Sequence, residues 1–353
     1  MADVRRVIID TDPGIDDTMA IILALASPEL RVEGLTIVRG NVGVEQCARN
    51  ALTILEIAGH ADIPVAVGAD RPLVRPYHGH GSTVHGQDGL GDTHLSGTRP
   101  VPDRRAVDFL ISRISASPGE FTIVALGPLT NLALATSVEP RLARWVREVI
   151  VMGGSVTTRG NATPVAEANI NNDPEAARLV FHAGWPVTLV GLDVTHKVTM
   201  TPAYLARLTA AHTPVTDLIA KITPFYLGAY KRLVGIDGFY VHDPTAIAAA
   251  IRPALFETRD LYVDVVTDSE RALGETIADF RNQWKLAPNL RVCLNVDAQG
   301  ILDLYLERVA GYRVPPERTA AQHDGTCCSH RATDQTLRWP RGGPRPGGDR
   351  RTG

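Results

Sequence analysis

The segment that most constrains this chain is Asp10-Thr11-Asp12-Pro13-Gly14-Ile15-Asp16-Asp17, which follows directly on the apolar run Val7-Ile8-Ile9. Four carboxylates within eight residues repel one another. At neutral pH either their pKa values rise or a bound cation offsets the charge. Oxygen-only donors favour a hard cation, Ca²⁺ or Mg²⁺. The same residues also carry a local fold: Val7 to Asp10 reads as a short buried strand, Pro13-Gly14 turns the chain, and Asp16 to Leu25 opens a helix. Strand, acidic loop and helix in that order put the carboxylates at the C-terminal edge of an α/β sheet, where ligands bind. Adjacent helical residues point about 100° apart, so Asp16 and Asp17 are expected to serve different targets, one a metal and the other a substrate. Helix capping by Asp16 and Asp17 is the plainer alternative, but one or two acids suffice for a cap.

Further apolar runs alternate with helical patterns. Leu35 to Val38 precedes a helix near Val44 to Ala58, and Phe121 to Leu126 precedes one near Asn131 to Ala135, with Val149 to Met152 and Val187 to Val190 continuing the series. This alternation predicts an α/β fold: an open, mostly parallel central sheet flanked by helices, with a Rossmann-like core. Thr201 to Leu255 reads mainly helical and forms an added segment near the site, followed by strands at Leu261 to Val266 and Arg291 to Val296 and a helix from Gln299 to Val309. No internal repeat is visible. From residue 314 to 353 Arg, Pro and Gly replace the hydrophobic periodicity, so residues 1–313 are expected to form one catalytic domain and 314–353 a disordered tail.

A formal net charge of −3 argues against a nucleic-acid partner and for a small molecule. No apolar stretch reaches membrane-spanning length, and the first strand begins too early to leave room for a secretory leader. The cysteines Cys47, Cys293, Cys327 and Cys328 show no CxxC spacing. A reduced, cytoplasmic protein is expected, without a thiolate metal site or a disulfide framework.

Other polar motifs also follow apolar strands, which brings them to the same sheet edge: Arg39-Gly40-Asn41, Gly127-Pro128-Leu129-Thr130-Asn131 and Met152-Gly153-Gly154. Asn41 and Asn131 taken singly read as turn or cap residues. The loop from Asn161 to Asp173 supplies amides and a carboxylate suited to sugar hydroxyls, with Asn161, Glu167 and Asn169 the candidates and Asn171, Asn172 and Asp173 read as organising the next helix start. His242-Asp243-Pro244 precedes a helix, whose N-terminus favours a carboxylate and lowers a nearby histidine pKa. Asp243 is a candidate third acidic ligand, and His242 a donor to a leaving group.

Together these motifs resemble the nucleoside hydrolases, the inosine-uridine-preferring family that cleaves the N-glycosidic bond of ribonucleosides. The resemblance runs from about Val4 to about Gly311, in order through the Asp10–Asp17 motif, Thr36 to Asn41, His85 to Gly91, Gly127 to Asn131, Met152-Gly153-Gly154, Asn161 to Asn169, and His242-Asp243-Pro244. It implies that Asp12, Asp17, Asp243 and the Leu126 carbonyl hold one Ca²⁺, which also binds the ribose 2′ and 3′ hydroxyls and a water. Asp12 would act as general base on that water. Asp16, Asn41, Asn161, Glu167 and Asn169 would grip the ribose, Met152 would pack near the sugar, and Asp10 would support the loop. The resemblance also implies a homodimer or homotetramer. Independently of the family, breaking a C1′–N bond develops positive charge on the ribose, which surrounding carboxylates stabilise. The leaving base needs a proton or a strong hydrogen bond, the role given to His242. Tyr226 and Tyr230 lie four apart, so they share a helix face and either contact the base or pack in the core.

Two alternatives stay open at this stage. Asp10-Thr11-Asp12 after a strand superficially resembles the Mg²⁺-dependent haloacid-dehalogenase phosphatases, with Asp10 as nucleophile. Gly14, however, sits where that motif has Thr or Val, and its lysine and late acidic motif have no counterpart here. A non-catalytic, calcium-dependent nucleoside-binding protein would keep the ribose site without turnover.

Overall fold

Val7, Ile8 and Ile9 are fully buried because β1 (Arg5–Thr11) lies inside a parallel sheet whose two faces are both covered. Side chains alternate across a strand, and so do their destinations: Val7 and Ile9 join one hydrophobic cluster, Ile8 the other. The computed structural model describes residues 4–77 and 81–315. The tail from residue 316 onward, expected to be disordered, therefore lies outside the described residues.

The remaining strands are β2 (Leu30–Ile37), β3 (Val65–Val67), β4 (Phe121–Ala125), β5 (Glu148–Met152), β6 (Val187–Val190), β7 (Thr199–Met200), β8 (Phe239–Tyr240), β9 (Phe256–Leu261), β10 (Val263–Val265), β11 (Thr276–Ala278) and β12 (Leu290–Val296). Eight of them form the central sheet in the order β3-β2-β1-β4-β5-β6-β12-β9, while β7 pairs with β8 and β10 with β11 as two-stranded ribbons. Every neighbouring pair in the large sheet is parallel except β12 with β9. The expected open, mostly parallel α/β architecture is the one observed. The chain runs outward from β1 through β2 to β3 and then returns to lay β4 on the other side of β1. That reversal is a topological switch point, and it opens a crevice beyond the C-terminal ends of β1 and β4.

One face of the sheet is covered by helices Ile15–Leu25, Val44–Ile57, Pro214–Leu233, Asp243–Ile251 and Ala298–Ala310, the other by Ala106–Ala116, Thr130–Val138 and Pro174–Phe181. The segment read as mainly helical holds the Pro202–Thr209, Pro214–Leu233 and Asp243–Ile251 helices. Pro214–Leu233 starts on a capping box between Thr213 and Thr216 and carries Pro at its first turn, a start signal legible in the sequence. The expected strand from Leu261 to Val266 differs in detail. The sheet strand β9 ends at Leu261, and β10 leaves to pair with β11. Tertiary pairing divides there what hydrophobicity alone joins. Cys47 and Cys293 lie buried and free, in the Val44–Ile57 helix and in β12. Among the described residues no helix is long and apolar enough to cross a membrane.

Candidate active site

At the end of β1 the chain turns through Asp12-Pro13-Gly14 into the Ile15–Leu25 helix, and the turn buries all four aspartates. Asp17 holds the loop in shape: its Oδ1 accepts from the Thr11 hydroxyl and the Asp12 N–H (3.3 Å), and its Oδ2 accepts from the Gly14 N–H at 2.9 Å. The Asn41 amide ties the loop to the end of β2, donating to the Asp12 carbonyl (3.1 Å) and to Asp17 Oδ2 (3.0 Å), while its backbone N–H reaches Asp12 Oδ2 at 2.7 Å. Asp12 is wedged between two glycines. A Cβ at Gly40 would meet its Oδ2 at 2.0 Å, and one at Gly127 would meet its Oδ1 at 2.4 Å. This close approach is why glycine follows both strands.

Asp10 is fully buried, where its Oδ2 accepts from the Thr36 hydroxyl (2.6 Å) and from Asn131 Nδ2 (2.9 Å). It faces no opening, so it supports the loop and is not presented as the nucleophile that the phosphatase alternative requires. Asn131 is more than a turn residue. Its amide also donates to the Ile37 carbonyl at 3.1 Å and accepts from the Ala69 N–H at 2.9 Å, joining three strand ends.

A cleft of about 730 Å³ opens above this loop, lined by Asp16, Asn41, Leu126, Met152, Asn161, Glu167, Asn169, Tyr226, Tyr230, His242 and Asp243 among others. Eleven residues singled out in the sequence thus converge on one cavity of the size that holds a small molecule. Asp12 and Asp17 are not among its lining residues and lie buried. Glu167 caps the Ala168–Asn172 helix, its carboxylate accepting from the Asn169, Ile170 and Gly154 N–H groups at 2.9, 3.1 and 3.0 Å. Asn169 Nδ2 donates to the Leu126 carbonyl (2.7 Å) and the Met152 carbonyl (3.2 Å), which leaves its own oxygen for a ligand. Asn161 Oδ1 takes the Ala168 N–H. Asp173, read as a helix organiser, caps Pro174–Phe181 as expected, whereas Asn171 and Asn172 line the cleft.

The opposite wall is aromatic. Tyr226 and Tyr230 lie on one face of the Pro214–Leu233 helix with ring centroids 4.9 Å apart, both buried and both lining the cleft, so packing and site contact coincide. The Tyr226 hydroxyl donates to Asp16 Oδ2 at 3.1 Å, and Tyr230 Oη lies 2.9 Å from His242 Nε2. His85 completes this wall: its Nδ1 accepts the Ile15 N–H at 3.1 Å, and its ring lies 5.2 Å from that of Tyr226. Sequence reasoning quoted the His85 motif without giving the residue a role, and nothing local signals that its loop crosses to the first helix. His196, stacked on Tyr240 at 4.3 Å, is a second lining residue that was missed.

The electrostatics are those of acids without a counter-charge. Burial, reinforced by Asp17, pushes Asp12 well above the usual carboxylate range, and burial together with Asp16, Asp17 and Asp12 does the same to Asp243. Burial lifts Asp16 and Asp17 to about 6. In the same surroundings it pushes His85 down to about 4 and His242 down to about 3, so both imidazoles are neutral at physiological pH. Asp16, Asp17 and Asp243 offer carboxylate oxygens within 4.8 Å of one another. The other partners of Asp16 and Asp17 differ: Asp16 Oδ2 takes the Tyr226 hydroxyl, while Asp17 takes Thr11, Gly14 and Asn41. Asp16 Oδ1 takes the Asp17 N–H at 3.2 Å.

Comparison with known proteins agrees with this geometry. The family model described as inosine-uridine preferring nucleoside hydrolase matches residues 7–303. The pyrimidine-specific ribonucleoside hydrolase RihA of Citrobacter koseri is 41% identical over 308 residues, covering 87% of this chain and 98% of that protein. Uridine nucleosidase 1 of Arabidopsis thaliana is 40% identical over 307 residues, covering 85% and 91%. The solved structure of the plant nucleoside hydrolase PpNRh1 matches with a TM-score of 0.84 at 39% identity, covering 87% of this chain and 99% of that one. With its carboxylates gathered at the sheet's switch point and the family match running through nearly all of its described length, the chain belongs to the inosine-uridine preferring nucleoside hydrolases and is a ribonucleoside hydrolase.

Proposed function

We propose that the cleft holds one Ca²⁺ and that the chain uses it to hydrolyse neutral ribonucleosides, with Asp12 as general base and His242 facing the departing nucleobase. The observation that carries this reading is the acidic cluster itself. Asp16, Asp17 and Asp243 approach within 4.8 Å, while Asp12 Oδ1 is buried with no hydrogen-bond partner among the described residues. An orphaned buried carboxylate oxygen beside three more acids is costly unless a cation neutralises it. The donor set fits a hard ion: Asp12, Asp17 and Asp243 would hold it together with the Leu126 carbonyl, which keeps a second lone pair beside its bond from Asn169. Asp16 stands close enough to serve the same ion or the ribose. When bound, Ca²⁺ supplies positive charge that draws the ribose diol and makes water more acidic.

Asp12 accepts a proton from the attacking water as the water oxygen bonds to C1′ and the nucleobase leaves with the C1′–N electrons. Asp16, Glu167 and Asp243 surround the sugar with negative charge, which stabilises the oxocarbenium character that develops there. On the far side neutral His242, bonded to Tyr230, offers the departing base a hydrogen bond and not a full positive charge. No Lys or Arg lines the cleft among the described residues, so nothing there matches a phosphate, and the substrate is read as a nucleoside and not a nucleotide.

The test is release of free base from inosine, adenosine, guanosine, uridine, cytidine and their 5′-monophosphates, with Ca²⁺ and after chelation. Turnover of at least one nucleoside, lost on chelation and restored by Ca²⁺, is the expected result, with the monophosphates inert. Turnover that survives complete chelation would remove the metal from the reading, and a binding-only protein would show no turnover at all.

A further inference from the structure

Thr195 lies on the short helix Leu192–Thr195 that follows β6, fully buried, and its hydroxyl sits 2.8 Å from His242 Nδ1. Among the described residues this is the only hydrogen bond of that hydroxyl. The two ring nitrogens of His242 are thus both engaged, Nδ1 by Thr195 and Nε2 by Tyr230. A neutral imidazole carries one proton, and the partners decide where it sits. If Nδ1 carried it, the Thr195 O–H would be left buried without an acceptor, which is unfavourable. If Thr195 donates to Nδ1, both ring nitrogens and the buried threonine are satisfied: His242 Nε2–H donates to Tyr230 Oη, and Tyr230 itself lines the cleft, where its own O–H is not shut away from a partner.

We infer that Thr195 is a positioning residue for the hydrolysis, fixing His242 in the tautomer whose Nε2–H meets the Tyr230 hydroxyl at the cleft wall, where an arriving nucleobase can share it. This deepens the reading of His242 given above and rests on it.

The surroundings of Thr195 are built to hold it still. Asp193, two residues earlier, accepts the N–H groups of Val156, Thr157 and Thr158 at 2.9, 2.7 and 3.1 Å and the Thr157 hydroxyl at 2.5 Å. Gly191, which opens the helix, lies so near the Gly154 carbonyl that a Cβ would meet it at 2.8 Å. On the histidine side the Val241 N–H bonds the Val198 carbonyl at 2.9 Å and β7 pairs with β8, so the strand end that carries His242 is tied to the segment that carries Thr195. The threonine hydroxyl and the ring thus face each other from two elements fixed to one another.

The test uses the full-length, metal-loaded enzyme with ¹⁵N-labelled histidine. Wild type and Thr195→Ser should show His242 with a protonated Nε2 and an unprotonated Nδ1. Thr195→Val, nearly isosteric but unable to donate, should lose that pattern. In turnover, Thr195→Val should lower kcat on ribonucleosides about tenfold, the worth of roughly one hydrogen bond, with little change in KM. A 4-nitrophenyl riboside, whose leaving group needs no help, should be nearly unaffected, and Thr195→Ser should restore the ribonucleoside rate. A protonated Nδ1 in wild type would overturn the inference, and so would equal loss on both substrate types or a Ser variant as impaired as the Val variant. His242→Ala separates this inference from its foundation. Equal loss on both substrates in that variant would discard His242 as the group facing the base, while the tautomer read in wild type would still report on Thr195.

Discussion

Asp12 is a residue whose position and chemistry pull in opposite directions. It is almost wholly buried, presses on two glycines and leaves one oxygen unpartnered, yet the proposed reaction needs it as an ionised base. A bound divalent cation resolves the conflict, because its charge returns the carboxylate to the ionised form. Asp12→Ala removes the buried acid and relieves the crowding, so the variant should stay folded while kcat falls by about a thousandfold. Circular dichroism and a nucleoside assay together check this, and an Asp12→Ala enzyme within a few-fold of wild type would end its assignment as base. Glu167 illustrates a different compromise. Its carboxylate is committed to three backbone N–H groups, so whatever it does for a sugar it does while capping a helix.

Among the elements, the turn after β4 carries the proposed carbonyl ligand. Gly127 lets the chain pass close to Asp12 just after Leu126, which lines the cleft. Gly127→Ala would drive a methyl group into the Asp12 carboxylate, at a cost of about 1–3 kcal/mol in strain. Because the displaced group is a proposed ligand, Ca²⁺ affinity measured by calorimetry should fall by more than thermal stability in excess Ca²⁺ suggests. Unchanged affinity would place the metal elsewhere. The Pro214–Leu233 helix is equally specific in its task, since only a helix sets Tyr226 and Tyr230 side by side against Asp16 and His242.

For the molecule as a whole, the acidic cluster makes stability depend on pH and metal. Folding raises Asp10 to about 7, Asp16 and Asp17 to about 6, and Asp12 and Asp243 well above their ordinary range, in each case chiefly through burial. The folded chain therefore holds these protons more tightly than the unfolded chain does. Stability from this source is full below the unfolded carboxylate pKa of about 4 and is lost as the pH rises through the folded values. Metal-free protein should accordingly show a melting temperature that declines between about pH 5 and pH 8, and saturating Ca²⁺ should flatten the decline because it binds the deprotonated cluster. Differential scanning fluorimetry across that range with chelator and with Ca²⁺ is sufficient, and a melting temperature that rises with pH in chelator would contradict the account.

The parallel α/β sheet, the acidic loop at its edge and the family were all legible in the order of the amino acids, because apolar periodicity, Pro-Gly turns and densely spaced carboxylates are local signals. Residues legible in seven separate segments share one cleft. How they meet was not legible in that order. Folding gathered Asp243 to Asp16 and Asp17, split the strand expected from Leu261 to Val266, turned Asn131 from a cap into a three-strand tie, and carried His85 and Thr195 to partners some seventy and forty-seven residues distant. Contacts of that range leave no periodic mark on the chain. They come into being when the chain crosses itself at the switch point, which is a property of the fold and not of any one segment.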